Sequence, residues 1–255
     1  MIRRLIDPRR HEIQHLAEVP PDTRIYAVGD IHGRADLLER LHAQIAADAR
    51  ASSAARKRIV YLGDYVDRGM QSRQVVDLLL EGPLEGFEAV HLKGNHEEFL
   101  LRFLEDAMIG PGWFVNGGEA TLYSYGVRAP ELSANLGRLE HMHRQFRELL
   151  PATHLRFFRN LARLHVEGGY LFVHAGIRPG IAPEAQRDDD ILWIREVFLN
   201  DGRDHGKIVV HGHTINDEPQ VRHNRIGIDT GAYATGVLTA LVLEGTDRKF
   251  LQTSD

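Results

Sequence analysis

Side chains of the types that can bind metal ions follow a series of short apolar runs in this sequence. The runs lead to Asp30 and His32, Asp64, Asn95, His174, His213 and Asp229. Buried parallel strands read as such runs, and open α/β sheets place their ligand sites at the carboxyl ends of the strands. Carboxylate, imidazole and amide groups together suit Mn²⁺, Fe or Zn²⁺, whereas Ca²⁺ prefers oxygen ligands alone. The sequence therefore predicts a metal site where several strands end.

The spacing of the first ligands indicates how the strands present them. Asp30 and His32 are two residues apart, so at an extended strand end they project to the same side. The intervals from Asp30 to Asp64 and from Asp64 to Asn95 each fit one strand and one helix. We therefore expect one ligand group from each βα unit.

Apolar periodicity predicts the helices between these strands. The first helix has apolar residues at helical spacing, namely Leu37, Leu38, Leu41 and Ile45. Ser72 is a candidate cap for a second helix, and residues 97–107 form a third. This alternation of strands and helices favours an α/β fold with a largely parallel sheet.

Other patterns predict the remainder of the chain. The glycine-rich segment 110–118 is typical of a surface loop, and apolar positions from Leu132 to Leu149 indicate an amphipathic helix. We expect residues 108–160 to form a helical insertion over the sheet. The acidic segment 187–190 is expected to be a turn with solvated carboxylates.

The C-terminal region lacks helices between its strands. Short strands are expected at 226–228, 237–243 and 249–251, and we interpret them as an antiparallel portion of a second sheet. The chain shows no repeat and no low-complexity linker. We predict one domain over residues 22–255, preceded by a loosely held arm over residues 1–21.

Composition excludes several classes of function. The 255-residue chain has no cysteine, which rules out disulfides, thiolate zinc sites and a cysteine nucleophile. Its net charge of −5 gives no basic footprint for nucleic acid. No window approaches the ~20 apolar residues of a membrane span, and no signal peptide follows the basic N-terminus. We expect a cytoplasmic enzyme; the sequence leaves its oligomeric state open.

Five motifs taken in order resemble the PPP family of metal-dependent serine/threonine protein phosphatases. They are Gly29-Asp-Ile-His-Gly33, Gly63-Asp-Tyr-Val-Asp-Arg-Gly69, Gly94-Asn-His-Glu97, His174-Ala-Gly176 and Gly212-His-Thr214. His174-Ala-Gly176 and the compact length are similar to the bacterial branch. The resemblance implies a four-layer α/β/β/α sandwich of two mixed sheets flanked by helices. It also implies hydrolysis of phosphoserine and phosphothreonine in a phosphoprotein or phosphopeptide.

The resemblance further implies two divalent metal ions, with Mn²⁺ expected and Fe, Zn²⁺ or Ni²⁺ compatible with the same ligands. Carried over residue by residue, Asp30 and His32 hold the first ion and Asp64 bridges both. The second ion is completed by Asn95, His174 and His213. A hydroxide shared by two such ions can attack phosphorus at neutral pH.

The resemblance assigns the remaining catalytic roles to four residues. His96 is the general acid that protonates the leaving oxygen, and Asp67 fixes its tautomer and charge. Arg68 binds the phosphate oxygens through its guanidinium fork. Arg195 matches the second phosphate-binding arginine over a short stretch.

Several residues near the motifs keep open roles. His211 is a ligand, a hydrogen-bond partner of the site or a packed side chain, and we favour the last two. Trp113, Asn116 and Tyr233 either line the substrate cleft or, for the two aromatic residues, belong to the core.

Three other functions compete with protein dephosphorylation. A symmetrical dinucleoside tetraphosphate (Ap4A) hydrolase shares the scaffold, but such enzymes usually have Ala in place of Asp67 and Asp in place of Glu97. A phosphodiesterase or nuclease of the wider superfamily usually has a further histidine where Ile215 stands. A scaffolding module that has lost catalysis is disfavoured because all six ligand positions are filled.

Overall fold

A computed structural model of the protein describes residues 17–82, 84–129 and 136–253. Its strands are β1 (Thr23–Val28), β2 (Arg56–Tyr61), β3 (Phe87–His91), β4 (Leu164–Glu167), β5 (Tyr170–Val173), β6 (Ile208–His211), β7 (Gln220–Val221), β8 (Arg225–Gly227), β9 (Thr239–Glu244) and β10 (Asp247–Gln252). The helices are α1 (Ala35–Arg50), α2 (Ser72–Glu81), α3 (Asn95–Glu105), α4 (Gly110–Val115), α5 (Gly118–Ser124), α6 (Leu136–Leu149), α7 (Ala152–Arg159), α8 (Asp188–Trp193), α9 (Glu196–Leu199) and α10 (Ala232–Thr235). In the ranges described, no helix combines the length and the apolar character that crossing a membrane requires.

The strands form two mixed five-stranded sheets. The first has the order β10-β9-β1-β2-β3, in which β1, β2 and β3 are parallel and β9 and β10 are antiparallel. The second has the order β4-β5-β6-β8-β7, in which β5, β6 and β8 are parallel. The carboxyl ends of β1, β2, β3, β5 and β6 lead into the predicted ligand motifs.

Three apolar clusters hold the layers together. Ile25 and Val60 of the first sheet pack with Phe172 and Val210 of the second, so the sheets face each other. A larger cluster joins the outer face of the first sheet to α1, α2 and the helices between α3 and β4. A smaller cluster joins the second sheet to α8 and α9. The expected sandwich of two mixed sheets flanked by helices is therefore confirmed.

The C-terminal strands differ from the prediction in their partners. β8 lies in the second sheet as predicted, where it runs antiparallel to β7 and parallel to β6. β9 and β10 are antiparallel, yet they return to the first sheet, where β9 pairs with β1. The prediction of an antiparallel portion of the second sheet was therefore wrong for these last two strands, because a strand pattern does not specify which strand it will pair with.

The glycine-rich segment 110–118 is mainly helical and was wrongly predicted as a loop. α4 spans most of it, and α5 begins at Gly118 after Gly117 takes a left-handed φ of +96°. Gly118 has no room for a side chain, because a Cβ there would lie 2.4 Å from the Trp113 ring. Gly118 therefore serves close packing between two short helices.

Two further predictions change in detail. Residues 188–193 form α8 rather than a turn, and Asp190 is buried against Arg178 instead of being solvated. Ser72 is the first residue of α2 and does not cap it; its hydroxyl accepts a hydrogen bond from the Asp67 amide.

The segment predicted as an arm is described only from Ala17. Val19 is buried and donates its amide to Gly245 O, while Ala17 O accepts the Tyr170 hydroxyl. These residues are packed, unlike the predicted loose arm, and residues 1–16 lie outside the described ranges. Helices α4 to α7 occupy the predicted insertion, of which Leu132 also lies outside those ranges. The single domain over 22–255 stays a prediction.

Candidate functional site

The candidate ligands lie on the turns that follow the central strands of both sheets. Six described non-glycine residues have a positive φ, and five belong to these turns: His32, Asp64, Asp67, Arg68 and His213. Left-handed backbone costs free energy at such residues and often occurs at functional sites. The surrounding fold therefore holds these residues in backbone conformations that a relaxed chain would avoid.

Two groups of potential ligands meet at Asp64. His32, Asp64 and His96 have ligand atoms within 4.8 Å of one another. Asp64, His174 and His213 form a second group with the same spread. His32 Nε2 lies 3.5 Å from Asp64 Oδ2, and His174 Nε2 lies 3.5 Å from Asp64 Oδ1. The geometry places Asp64 between two sets of donors.

Asp30 and Asn95 complete the arrangement expected from the sequence. Asp30 is buried and accepts the His213 amide through Oδ2. Asn95 is the first residue of α3, and its Oδ1 lies 2.9 Å from His174 Nε2. All six predicted metal ligands are thus brought together by the fold.

Backbone contacts fix which ring nitrogen two of the candidate ligand histidines present to the site. His32 Nδ1 donates to Val66 O and His174 Nδ1 donates to Leu62 O, both at 2.9 Å. Their Nε2 atoms therefore face the site as bare lone pairs. His174 Nε2 and Asn95 Oδ1 are then two acceptors only 2.9 Å apart, an approach that a shared cation would stabilise.

The unpaired atoms and charges of the site also fit metal ions. Asp30 Oδ1 and His213 Nε2 are buried without a hydrogen-bond partner, which is costly for polar atoms. Burial and the neighbouring charges of Asp229 and Asp64 raise the pKa of Asp30 well above its usual value. Burial also lowers the pKa of His32 to about 3 and that of His213 to about 2, which keeps both rings neutral for ligation.

Two glycines allow the backbone to approach the carboxylates. A Cβ at Gly212 would lie 2.0 Å from Asp30 Oδ1, and a Cβ at Gly94 would lie 2.1 Å from Asp64 Oδ1. Real Cβ atoms do not come so close, so any larger residue would displace a candidate ligand. The glycines of both motifs are therefore required by space next to the site.

His96 forms a buried pair with Asp67. Its Nδ1 donates to Asp67 Oδ2 at 2.6 Å, and both side chains are almost fully buried. Burial alone would lower the pKa of His96, but the carboxylates of Asp64 and Asp67 outweigh it and raise the pKa to about 9. Bound cations would oppose that rise.

Two residues that the sequence did not connect to Asp67 hold its carboxylate. Trp113 Nε1 donates to Oδ2 at 2.7 Å, and Thr121 Oγ1 donates to Oδ1 at 2.6 Å. Trp113 is fully buried, so it belongs to the core and to this network instead of the open cleft. These contacts come from α4 and α5, and no local pattern in the sequence indicates them.

Arg68 and Arg195 lie on two sides of the site. The Arg68 guanidinium carbon is 4.5 Å from the centroid of Tyr233, whose ring stands perpendicular to that of His32 at 5.5 Å. Arg195 is exposed and donates to Thr214 Oγ1 at 3.2 Å, next to His213. Both guanidinium groups are therefore available close to the candidate ligands.

Asp229 and Glu97 belong to the site although no role was predicted for either. Asp229 is buried near Asp30, and burial together with the Asp64 charge raises its pKa to about 6. Its position after an apolar run was the available signal. Glu97 accepts four backbone amides, those of Asp64, Tyr65, Val66 and Gly94, and thereby shapes the turn that carries Asp64.

Two other residues with open roles point away from the ligands. His211 is buried, with Nδ1 donating to Gly212 O and Nε2 near Arg225, in agreement with the packed or hydrogen-bonding alternative. The side-chain amide of Asn116, the residue after α4, donates to Gly112 O in that helix. Of the three suggested cleft residues, Tyr233 lies at the site.

Comparison with known proteins identifies relatives that match most of this chain. The sequence model of the calcineurin-like phosphoesterases matches residues 23–236. The asymmetrical bis(5'-nucleosyl)-tetraphosphatase PrpE of Anoxybacillus flavithermus is 29% identical over 199 residues, which are 72% of this chain and 75% of that protein. A symmetrical bis(5'-nucleosyl)-tetraphosphatase of Dechloromonas aromatica is 31% identical over 184 residues, covering 69% of this chain and 54% of the relative.

Solved structures share the fold at lower identity. A crystal structure provisionally assigned as a diadenosine tetraphosphatase superposes with a TM-score of 0.57 and 21% identity, covering 94% of this chain and 100% of that one. A serine/threonine phosphatase of Saccharomyces cerevisiae superposes with a TM-score of 0.52 and 13% identity, covering 92% and 81%. At these identities the likeness concerns the fold alone.

Proposed function

The chain belongs to the calcineurin-like phosphoesterase family, and we propose that it hydrolyses bis(5'-nucleosyl) tetraphosphates asymmetrically. The observation that carries this proposal is the similarity to asymmetrical tetraphosphatases over most of both chains. It favours what the sequence suggested only as an alternative, dinucleotide hydrolysis, although that alternative was the symmetrical reaction. The reaction consumes one water and releases a nucleoside triphosphate and a nucleoside monophosphate.

We propose that Asp30, His32, Asp64, Asn95, His174 and His213 hold two divalent ions, with Mn²⁺ as the first candidate. When bound, such ions acidify a water molecule and neutralise charge on phosphoryl oxygens. The unpartnered Asp30 Oδ1 and His213 Nε2 support this assignment.

The protein's own side chains then orient the polyphosphate and handle the proton. Arg68 and Arg195 carry positive charge on two sides of the ligands and would bind non-bridging oxygens. His96, kept protonated by Asp67, would donate a proton from Nε2 to the bridging oxygen that leaves with one nucleotide. Asp67 holds the ring in place through its hydrogen bond with Nδ1.

Product analysis tests the proposal directly. The Mn²⁺-loaded protein is incubated with diadenosine tetraphosphate, and the nucleotides are separated by ion-exchange chromatography. Equal amounts of ATP and AMP support asymmetric cleavage, whereas ADP alone would indicate the symmetrical reaction. An Asp64→Asn variant serves as the control for contaminating hydrolases and should be inactive.

The Asp67–His96 pair favours a second candidate, dephosphorylation of serine or threonine in proteins. A leaving phosphate oxygen is weakly basic, with a pKa near ~6, and needs little help from an acid. An alkoxide is far more basic and must be protonated as it leaves. A buried, charge-supported acid is therefore better matched to a phosphoserine or phosphothreonine ester.

A direct comparison of turnover with the two substrates separates these candidates. Phosphate release from a phosphothreonine peptide is measured beside dinucleotide cleavage at the same enzyme and metal concentration. A kcat/KM for the peptide that exceeds the value for diadenosine tetraphosphate would replace the first proposal by the second. Phosphoprotein partners depend on that outcome, and they stay a prediction, as does a cytoplasmic location.

A further inference from the structure

Trp193 is an exposed tryptophan beside the candidate metal ligands. It is the last residue of α8, and 39% of its surface is exposed, whereas the chain's other tryptophan, Trp113, is fully buried. Large aromatic side chains usually bury most of their area, and exposed ones at a cleft often contact a ligand. The exposed ring therefore calls for an explanation in terms of binding.

The indole ring of Trp193 lies close to a candidate metal ligand, and a phenylalanine ring packs beside it. Its centroid is 6.2 Å from that of His213 and 5.4 Å from that of Phe99. The interplanar angles are 86° and 88°, so neither neighbour is stacked parallel to the indole. Among the described residues no aromatic ring stacks on Trp193, and its exposed surface is open to a planar ligand.

The helix that carries Trp193 is firmly held. Ile191 and Leu192 are buried, and Asp190 accepts hydrogen bonds from Arg178 Nε and NH2. The tryptophan side chain has few rotatable bonds, so it loses little conformational entropy when a ligand stacks on it. Trp193 is thus a rigid surface at a fixed distance from the ligands.

We propose that Trp193 is the stacking surface for one nucleobase of the substrate. The inference rests on the proposed dinucleotide hydrolysis and specifies how the enzyme tells a nucleotide from inorganic polyphosphate. Arg195 lies two residues further on, beside His213, so a phosphate chain at the metal site would leave a base within reach of the indole. Base stacking on an aromatic ring strengthens binding by about 5- to 100-fold.

Tryptophan fluorescence tests the contact through binding alone, and the chain has two tryptophans of opposite exposure. ATP, a product of the proposed cleavage, and inorganic tripolyphosphate are titrated into the Mn²⁺-loaded protein. ATP should quench the emission saturably and tripolyphosphate should not. Trp193→Phe should remove the ATP-dependent change and leave only Trp113 emission. Equal quenching by the two ligands would overturn the proposal.

Steady-state kinetics in the otherwise native enzyme gives a second measurement. Trp193→Leu should raise the KM for diadenosine tetraphosphate by about 5- to 100-fold and leave inhibition by tripolyphosphate unchanged, with Trp193→Phe in between. Val197→Ala, which removes another exposed apolar side chain from the neighbouring helix, is the matched control and should have no effect. Equal weakening of both ligands by Trp193→Leu would contradict a base contact.

The two proposals fail in different ways. If diadenosine tetraphosphate is not cleaved but ATP still quenches Trp193, the stacking surface stands and the proposed reaction falls. If a phosphothreonine peptide quenches Trp193 and ATP does not, the stacking proposal is overturned and the ring is assigned to peptide binding.

Discussion

Replacing Asp67 with asparagine would remove the negative charge beside His96 while almost preserving the shape of the side chain. The side-chain oxygen of the asparagine can still accept from His96 Nδ1 and Trp113 Nε1, which now converge on one carboxylate oxygen. The side-chain amide of the asparagine can donate to Thr121 Oγ1, whose hydroxyl can rotate to accept it. We therefore expect the Asp67→Asn variant to keep the native fold and to differ in the pKa of His96.

The size of the effect follows from the 2.6 Å hydrogen bond between His96 and Asp67. Hydrogen bonds to charged groups contribute about 1.5–3 kcal/mol, equivalent to about 10- to 100-fold in favour of the protonated ring. A general acid works only while protonated, so activity falls as pH rises through its pKa. Losing the carboxylate should move this basic limb to lower pH by about one to two pH units.

The assay uses phosphate monoesters whose leaving groups cover a wide range of basicity. For alkyl or phosphothreonine esters, Asp67→Asn should lower kcat by about 10- to 100-fold at a pH above the basic limb of the native enzyme. For esters with weakly basic leaving groups, and for diadenosine tetraphosphate, the loss should be below about threefold, since little protonation is needed. Thr121→Val keeps the carboxylate of Asp67 and removes a hydroxyl that donates to its Oδ1 and accepts its backbone amide, so the loss should show no dependence on the leaving group.

One pattern of results would refute this reasoning. If Asp67→Asn lowers kcat equally for weakly and strongly basic leaving groups, and the basic limb does not move, Asp67 does not act through the charge of His96. Metal content and thermal unfolding of the variant, measured in parallel, separate that result from a collapsed site.

Three further predictions concern space, acid stability and metal. Gly212→Ala should abolish metal binding, measured by metal analysis after dialysis, because its Cβ would meet Asp30 Oδ1 at 2.0 Å; Gly137→Ala, with open space around it, should bind normally. His42, whose Nε2 lies 2.8 Å from the Tyr61 hydroxyl, has its pKa lowered by burial to about 4. In the unfolded chain this histidine has a pKa of ~6.5. The free energy of unfolding should therefore fall by about 3 kcal/mol as the pH is lowered from the pKa of the unfolded state to that of the folded state. His42→Gln should reduce that slope in urea titrations, and an unchanged slope would contradict the assignment. Mn²⁺ at about 100 times its Kd should raise the free energy of unfolding by about 2.7 kcal/mol, and a chelator should reverse the increase.

Much of the site could be predicted because its parts are local. Apolar runs followed by Asp30, Asp64 or His174 specify both a buried strand and a ligand at its end. The carboxyl ends of parallel strands share an edge of a sheet, so side chains on separate runs were expected to converge. The structure does bring the six predicted ligands together, with Asp64 between two donor groups.

The contacts that tune the site could not be predicted in this way. Trp113 and Thr121 reach Asp67 from about fifty residues away, through two short helices, the first of which was predicted as part of a loop. Their hydrogen bonds depend on how α4 and α5 pack, which residue spacing does not encode. The same holds for Asp229, whose carboxylate lies near Asp30 only because β8 pairs with β6.

The sequence by itself determined most of the strands, the four longest helices and the chemical types at the site, because hydrophobic period and turn residues act within a few positions. Only the tertiary structure decided that β9 joins β1 in the first sheet, that Asp67 is buried under Trp113, and that Trp193 stays exposed beside His213. Such features arise when distant elements compete to cover the same apolar surface. The outcome depends on the packing of the whole chain, which no local pattern contains.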